Sequence, residues 1–348
     1  MSGVGAAEGL VDEARLGAWM DAEGLPGAGH PLEVEAIGGG ASNELLSIRR
    51  GDAHMVLRRP PRNVPEGRNE TMMREYRVLS ALAGTDVPHA RVLGACDDPD
   101  VTGAWFYVME HVDGWSPMQV DDWPAPFDAD LDARRGLAVQ LVDGIAKLAK
   151  VDWRARGLDG FGRPEGFHER QVDRWTAHLE RHKFRDIPGL DVAGDWLRAH
   201  QPRHYEPGIM HGDYQFANVM FAHGAPARLA AIIDWEMATI GDPLLDLGWV
   251  VMGWPDEGED RATSGYVDYT GMPNRDELLT YYEAESGRPV DEIDYYVILA
   301  RFKMACVLEP GYARYMQGNA DNPKMEAFGD VVLDMARNAA ELAETTAL

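Results

Sequence analysis

The sequence predicts an α+β protein in two parts, a β-rich part followed by a mainly helical one. Residues 31–113 contain short β-like runs separated by turn residues, with one helical stretch among them. Beyond them, apolar residues recur at helical spacing, as in Leu137, Leu141, Ile145 and Leu148. A chain of 348 residues also exceeds one typical domain. We therefore expect two lobes or two domains.

The first part predicts an antiparallel sheet. An amphipathic helix in VDEARLGAWMDAEGL precedes it. Strand, glycine turn, strand, turn and strand follow in LEVEAIGGGASNELLSIRRGDAHMVLRRPP, where Gly51 and Asp52 suit a tight turn. A helix is expected in NETMMREYRVLSALAG, with Gly84 as its C-cap, and two more strands in ARVLGACDD and AWFYVMEHV. This gives five strands with one helix inserted after the third.

The second part, residues 114–348, predicts helices with one exception. The runs NVMFA and LAAIIDW are β-like and are separated by the turn HGAPA, so they predict a second hairpin. The segment WPDEGEDRATSGYVDYTGMPN is rich in turn residues and polar, which predicts a surface loop.

The composition limits the classes of function. Acidic residues outnumber basic ones 58 to 33, a balance that repels nucleic acid and anionic membranes, so neither is expected as a partner. The two cysteines, Cys96 and Cys306, cannot build a disulfide framework, which favours a reducing compartment. The chain starts without a basic segment before an apolar one, and no apolar run approaches the roughly 20 residues that span a bilayer. A cytoplasmic protein is expected; its oligomeric state is not indicated.

One short segment gathers oxygen-bearing side chains. In MHGDYQFANVMFAHGAPARLAAIIDWE, Asp213 lies five residues before Asn218, and Asp234 follows an apolar run. A loop that leads into a strand, with the paired strand returning, can bring these three side chains to one point. Phosphoryl transfer needs such a set: one carboxylate to orient the attacking hydroxyl, and hard oxygen ligands for Mg²⁺.

The run HGDYQFANVMF followed by IIDWE resembles the catalytic loop and metal-binding motif of the aminoglycoside phosphotransferase (APH) family. This branch of the protein-kinase-like fold includes choline kinase and other small-molecule kinases. The resemblance implies a bilobal protein-kinase-like fold, with an antiparallel-sheet N-lobe and a mainly helical C-lobe. It implies Asp213 as catalytic base, Asn218 as metal ligand and Asp234 as principal metal ligand. His211, Trp235 and GDPLLDLGW are similar to the family segments that support this loop.

The alternative for an isolated HGD is an ordinary turn, and Asn218 alone could cap a helix. The full pattern of HGDxxxxN, apolar run and IDW is much more specific and favours the functional interpretation.

The glycine-rich turn of the first part is a candidate phosphate cover. Gly38, Gly39 and Gly40 let the backbone approach phosphates closely, and Ser42 or Asn43 can donate hydrogen bonds to them. The turn lacks the full GxGxxG spacing, and an ordinary hairpin turn is the alternative.

An arginine occupies the position of the family's strand lysine. HMVLRR matches the kinase pattern VAIK with Arg58 in the lysine position, and an arginine fork can still bind phosphate. A solvent-facing arginine beside Arg59 is the alternative. The resemblance pairs this cation with Glu75, whereas Glu70 and Glu75 could both lie exposed. Strands of the type LRRPP are similar to those of the acyl-CoA-dehydrogenase-associated branch of the family.

FYVMEHVDG resembles the hinge that holds adenine, with main-chain groups of Glu110 and Val112 as partners and Met109 behind the base. The resemblance implies ATP or GTP and Mg²⁺ as cofactors and a small-molecule hydroxyl as acceptor, aminoglycoside-like or a hydroxyacyl metabolite. It implies residues 1–30 as a lead-in, 31–113 as a nucleotide-binding N-lobe and 114–348 as a C-lobe with the catalytic loop and acceptor site. A non-catalytic nucleotide-binding module is the alternative.

Overall fold

The computed structural model describes residues 10–37, 43–120, 122–182, 184–255, 258, 261–262, 267–320 and 323–348. By its internal contacts the chain divides into two units. Unit 1 comprises Met1–Ala133, Asp152–Phe161 and Phe216–Ala238, and unit 2 comprises Arg134–Val151, Gly162–Gln215 and Thr239–Leu348. The division at residues 30 and 113 stays a prediction.

The regular elements follow in chain order. The strands are β1 (Glu33–Ile37), β2 (Glu44–Arg50), β3 (Ala53–Arg59), β4 (Val92–Cys96), β5 (Phe106–Glu110), β6 (Gly208–Met210), β7 (Val219–Phe221), β8 (Leu229–Ile232) and β9 (Thr239–Gly241). The helices are α1 (Glu13–Ala22), α2 (Arg68–Leu82), α3 (Pro99–Thr102), α4 (Leu131–Ala149), α5 (Phe167–Glu180), α6 (Leu190–Ala199), α7 (Leu244–Val251), α8 (Arg275–Ser286), α9 (Ile293–Met316) and α10 (Lys324–Thr345).

Unit 1 contains the predicted antiparallel sheet. Its strand order is β1-β2-β3-β5-β4, and every neighbouring pair runs antiparallel. Gly51 turns the chain from β2 into β3 with a φ of 59°, a conformation that glycine adopts without a steric penalty. Alternation along β2 directs Leu46 and Ile48 into the core. The prediction of five antiparallel strands with a helix after the third is confirmed.

Helices close the two ends of this sheet's core. Asp12 caps α1 by accepting hydrogen bonds from the amides of Ala14 and Arg15, and Leu16 and Met20 of α1 are fully buried in the same cluster as the sheet residues. The helix after the third strand, α2, ends at Leu82, two residues before Gly84 and close to the predicted stop. The short helix α3 was not predicted.

Unit 2 is mainly helical, as predicted. The long helix α9 packs against α5, α6, α7 and α10 and forms the centre of this unit. The short strands β6 and β9 pair antiparallel, with Ile209 opposite Ile240. No helix in the described part of the chain combines the length and apolar character needed to cross a membrane.

The expected surface loop at residues 254–274 is only partly described, and the described part corrects the prediction. Val267, Tyr269 and Met272 are buried, and the rings of Trp254 and Tyr269 lie 4.6 Å apart, centroid to centroid. Apolar side chains spaced among turn residues anchor this segment, and the polar composition concealed them.

We predict that Gly248→Ala destabilises the protein by about 1–3 kcal/mol, because α7 and α9 pack too closely for a larger residue. A methyl group at this position would lie 2.7 Å from the carbonyl carbon and oxygen of Tyr296, which are backbone atoms. Urea unfolding measures the loss.

Gly17→Ala is the matched control. Nothing lies within 4 Å of a methyl group at this helical position, so the variant should be about 0.5–1 kcal/mol more stable than the wild type. Equal effects of the two substitutions would contradict the close packing of α7 on α9.

Candidate active site

The hairpin of β7 and β8 brings Asn218 and Asp234 to one end of unit 1. Val219 pairs with Ile232, so the residue before β7 and the residues after β8 lie side by side. The Ile233 amide donates to the Asn218 carbonyl at 2.9 Å. Asp234 follows directly. Asn218 is 9% exposed, and the Asp234 side chain is 38% exposed.

Asp234 adopts a left-handed backbone conformation, with φ 62° and ψ 65°. Among the described residues, Asp234 is the one non-glycine residue with a positive φ. Such a conformation costs on the order of 1–3 kcal/mol and persists where the surroundings impose it. The next residue, Trp235, supplies part of this constraint: it is buried, and its indole donates to the Ile232 carbonyl at 3.0 Å. The chain thus turns sharply after β8 and presents the Asp234 carboxylate.

Arg58 connects two carboxylates. From β3, its Nε lies 2.9 Å from Glu75 of α2, and its second terminal nitrogen lies 2.7 Å from Asp234. Arg58 is 8% exposed and Glu75 1%, whereas Glu70 is exposed. The solvent-facing alternative for Arg58 is therefore wrong, and Glu75 is the buried partner. The Tyr107 hydroxyl also donates to Glu75 at 2.9 Å.

Burial and neighbouring charges shift the pKa values of Arg58 and Glu75 in opposite directions. Burial raises the pKa of Glu75 to about 7, although Arg58 lowers it. Burial alone would lower the pKa of Arg58, but the charges of Glu75 and Asp234 outweigh the effect of burial and raise that pKa. Arg58 therefore stays charged, and its fixed charge lies between the two carboxylates.

The structure describes some of the other residues predicted to bind the nucleotide and not others. The Glu110 amide donates to the Arg91 carbonyl at 2.9 Å, so this N–H is engaged within the sheet. Met109 is partly buried on β5, and Asn43 is buried just before β2. The strands β1 and β2 flank the glycine-rich turn as predicted, but Gly38, Gly39, Gly40 and Ser42 lie outside the described residues.

Asp213 lies in unit 2, on the loop after β6. Gly212 has a φ of 85°, which turns the chain just before Asp213. The Asp246 carboxylate of α7 accepts hydrogen bonds from the amides of His211 (2.6 Å) and Gly212 (2.8 Å). His211 is fully buried, and its Nδ1 accepts a hydrogen bond from the Asp213 amide at 3.3 Å. The His211 ring therefore contacts the backbone of Asp213. The loop is fixed mainly through its peptide groups.

Two contacts of this loop were missed by sequence reasoning. The Gln215 side-chain amide donates to the Asp213 carboxylate at 2.9 Å. Lys303 of α9 donates to the Gly212 carbonyl. A signal for Lys303 is present in the sequence, since it and Arg301 are the two cations inside the otherwise apolar helical run VILARFKMACVL.

We predict that Arg58→Met destabilises the protein by about 3–5 kcal/mol, because it leaves the Glu75 carboxylate buried without its cation. The double variant Arg58→Met/Glu75→Gln should recover most of this loss, since both buried charges are removed and Tyr107 keeps an acceptor. Urea unfolding near pH 8 compares the two.

The pH dependence gives a second readout of the same pair. The pKa of Glu75 is about 7 beside Arg58 and should rise further without it, so at about pH 5.5 the carboxyl takes up a proton. The deficit of the single variant should therefore shrink as the pH falls. A double variant no more stable than Arg58→Met would contradict the buried ion pair.

Comparison with known proteins places this geometry in a family. A model of the phosphotransferase enzyme family APH matches residues 33–281. Acyl-CoA dehydrogenase family member 11 of Gallus gallus is 30% identical, with 90% of this chain and 40% of that protein covered. Family member 10 of Mus musculus is 28% identical, with 90% and 29% covered. The chain thus spans less than half the length of these relatives.

Solved structures show the same fold. A Ralstonia eutropha JMP134 protein, provisionally assigned as an aminoglycoside phosphotransferase, is 31% identical and superposes with a TM-score of 0.82 over 96% of this chain and 98% of that one. A thermostable mutant of aminoglycoside phosphotransferase APH(4)-Ia, solved with ADP and hygromycin B, is 14% identical, with a TM-score of 0.59 and coverage of 95% and 98%, a likeness of fold alone. The chain therefore has a bilobal protein-kinase-like fold and belongs to the APH family of phosphotransferase enzymes.

Proposed function

We propose that this protein is a small-molecule kinase that transfers the γ-phosphoryl group of ATP to a hydroxyl group. The observation that carries the proposal is the contact of Arg58 with both Glu75 and Asp234, beside Asn218 at the end of the β7–β8 hairpin. Phosphoryl transfer depends mainly on positioning and on neutralising phosphate charge. One fixed cation and oxygen donors from two loops suit that task.

In this proposal, unit 1 binds the nucleotide. Arg58 binds phosphate oxygens, and Glu75 fixes the direction of its guanidinium group. The Glu110 carbonyl and the Val112 amide bind the adenine edge, with Met109 against the base. The turn with Gly38, Gly39, Gly40, Ser42 and Asn43 covers the phosphates. GTP is the alternative nucleotide.

Asn218 and Asp234 suit a magnesium ion. An amide oxygen and a carboxylate are hard donors, and Mg²⁺ commonly binds one or two such side chains together with phosphates and water. Such a site needs no larger cluster of ligands. Among the described residues, no group of three or more His, Cys, Asp or Glu side chains is placed to hold a metal ion. When bound, the ion would neutralise negative charge on the phosphates.

Asp213 orients the acceptor in this proposal. Its carboxylate accepts a hydrogen bond from the acceptor hydroxyl and takes up the proton as the oxygen attacks. Gln215 donates to the same carboxylate and helps to orient it. Asp246 holds the backbone behind Asp213, so the carboxylate would be oriented before the substrate binds.

A cavity of about 420 Å³ lies in unit 2, in the region where the acceptor is expected. Its apolar wall includes Val172, Leu179 and Phe302. Four carboxylates line it against one cation, Arg198, which pairs with Asp195; they belong to Glu180, Asp186, Asp191 and Asp195. The volume is in the range of small-molecule sites, and the carboxylates favour a cationic or amine-bearing compound. An aminoglycoside-like compound suits this charge better than a hydroxyacyl metabolite. The net charge of −25 argues against nucleic acid as a partner.

The second candidate is a nucleotide-binding module without catalysis. One contact favours it: the ion pair of Arg58 with Asp234 engages an oxygen that the first proposal assigns to the metal. Binding of ATP without turnover of any acceptor would support this candidate.

We predict that Asp213→Asn lowers the rate of ADP formation about 100- to 10,000-fold, because the base for the acceptor hydroxyl is lost. Nucleotide binding should persist, because Asp213 contacts no phosphate in this scheme. Asp234→Asn should instead weaken the binding of ATP with Mg²⁺. A coupled ADP assay over aminoglycosides, amino alcohols and hydroxy acids measures turnover, and thermal shift measures binding.

Asp334→Asn is the matched control, since this aspartate of α10 is half exposed and pairs with Arg337 on the surface. Its turnover and thermal shift should equal those of the wild type. A wild-type protein whose melting temperature does not respond to ATP or GTP would contradict both candidate functions.

A further inference from the structure

Lys303 is a buried cation in the middle of α9. Only five of the chain's 33 basic residues are lysines, and Lys303 is 4% exposed. Its neighbours along the helix include the fully buried Ala305 and Cys306. Removing an ammonium group from water costs several kcal/mol unless other groups compensate, so its surroundings must stabilise it.

Three kinds of contact compensate this burial. The ammonium group donates to the Gly212 carbonyl. It lies 4.5 Å from the ring centroid of Trp249 and 5.3 Å from that of Trp175, within the range of cation–π attraction. The negative charges of Asp213 and Asp246 also stabilise it. All of these groups belong to unit 2.

Lys303 and Asp246 hold the same peptide segment from opposite sides. Asp246 accepts from the Gly212 amide, and Lys303 donates to the Gly212 carbonyl. Glycine has the widest choice of backbone conformations, so a glycine before Asp213 would otherwise let the loop rotate. Hydrogen bonds at both ends of Gly212 fix its left-handed conformation, and with it the direction in which the chain enters Asp213.

We propose that Lys303 is a positioning residue for phosphoryl transfer, which fixes the Gly212 peptide and thereby the Asp213 carboxylate. This inference rests on the proposed role of Asp213 as base. Lys303 acts through the loop and does not contact the substrate. A misplacement of about 1 Å in a reacting group can lower a rate 100-fold, so loss of this contact should appear in kcat more than in KM.

The charge of Lys303 is sensitive to pH. Burial lowers its pKa to about 8, although Asp213 and Asp246 raise it; Arg174 of α5 lowers it further. The ammonium form is therefore complete well below pH 8 and is lost as the pH rises through about 8. The rate of the wild type should fall over the same interval, and a variant without an ionisable group at position 303 should lack this fall.

The test compares Lys303→Met with Lys150→Met. Methionine removes the charge and keeps a side chain of similar length, while Lys150 is exposed directly after α4 and serves as the control. For Lys303→Met we expect kcat for ADP formation to fall about 10- to 100-fold, with an unchanged KM for ATP. The alkaline fall in kcat should disappear. Unchanged kcat and an unchanged pH profile would overturn the proposal.

Hydrogen exchange separates this inference from the proposed function, because it needs no acceptor. Amides of residues 211–213 should exchange faster in Lys303→Met, whereas those of β1–β5 should not change. If the wild type hydrolyses or transfers no ATP but this exchange difference appears, the function fails and the contact stands. Equal exchange in both proteins would contradict the contact itself.

If Lys303→Met does not fold, ¹³C-lysine NMR of the wild type gives the decisive measurement. With five lysines the signals are few, and Lys303→Arg identifies the one in question. That signal should titrate near pH 8, and in Asp213→Asn at lower pH, because the Asp213 charge that raises its pKa is removed. A Lys303 signal that titrates above about pH 10, the ordinary range, and does not respond to Asp213→Asn would show an ammonium group away from this loop and would overturn the proposal.

Discussion

The N-lobe site depends on one buried guanidinium group. Arg58 carries a charge that burial disfavours, and it is stable there because Glu75 and Asp234 lie within hydrogen-bond distance. These two contacts of Arg58 fix three elements with respect to one another, because the three residues come from β3, from α2 and from the segment after β8. A planar fork with several donors can hold two carboxylates at once, which a single ammonium group does less well.

The Asp234 turn of unit 1 and the Asp213 loop of unit 2 are each fixed in a different way. Asp234 depends on a strained backbone turn that the buried indole of Trp235 helps to impose. The Asp213 loop depends on hydrogen bonds to peptide groups, from Asp246 on one side and Lys303 on the other. Both arrangements fix the backbone that carries the carboxylate. A phosphotransferase needs this, because its acidic side chains must be oriented before phosphate charge arrives.

Much of this arrangement follows from local sequence patterns. Short β-like runs separated by turn residues predicted the sheet, and two β-like runs after HGD predicted the hairpin that joins Asn218 to Asp234. The resemblance to the family pattern paired Arg58 with Glu75, and the two side chains lie 2.9 Å apart. At each of these positions, the type of residue was enough to predict the strand, the hairpin or the ion pair.

The remaining features depend on contacts between distant segments. Nothing near Arg58 in the sequence shows that it is buried or that it reaches Asp234, 176 residues away. Lys303 likewise lies 91 residues from its acceptor. The segment of residues 254–274 was mistaken for a surface loop because its polar composition concealed the buried rings of Trp254 and Tyr269, which contact each other within it. The engaged amide of Glu110 follows from the pairing of two strands.

The most direct test of the central claim is a crystal structure with AMP-PNP and Mn²⁺ in place of Mg²⁺, with the metal located by its anomalous signal. The account predicts a peak coordinated by Asn218 and Asp234, with Arg58 on the phosphates and still paired with Glu75. A metal bound by other side chains, or phosphates without contact to Arg58, would contradict it.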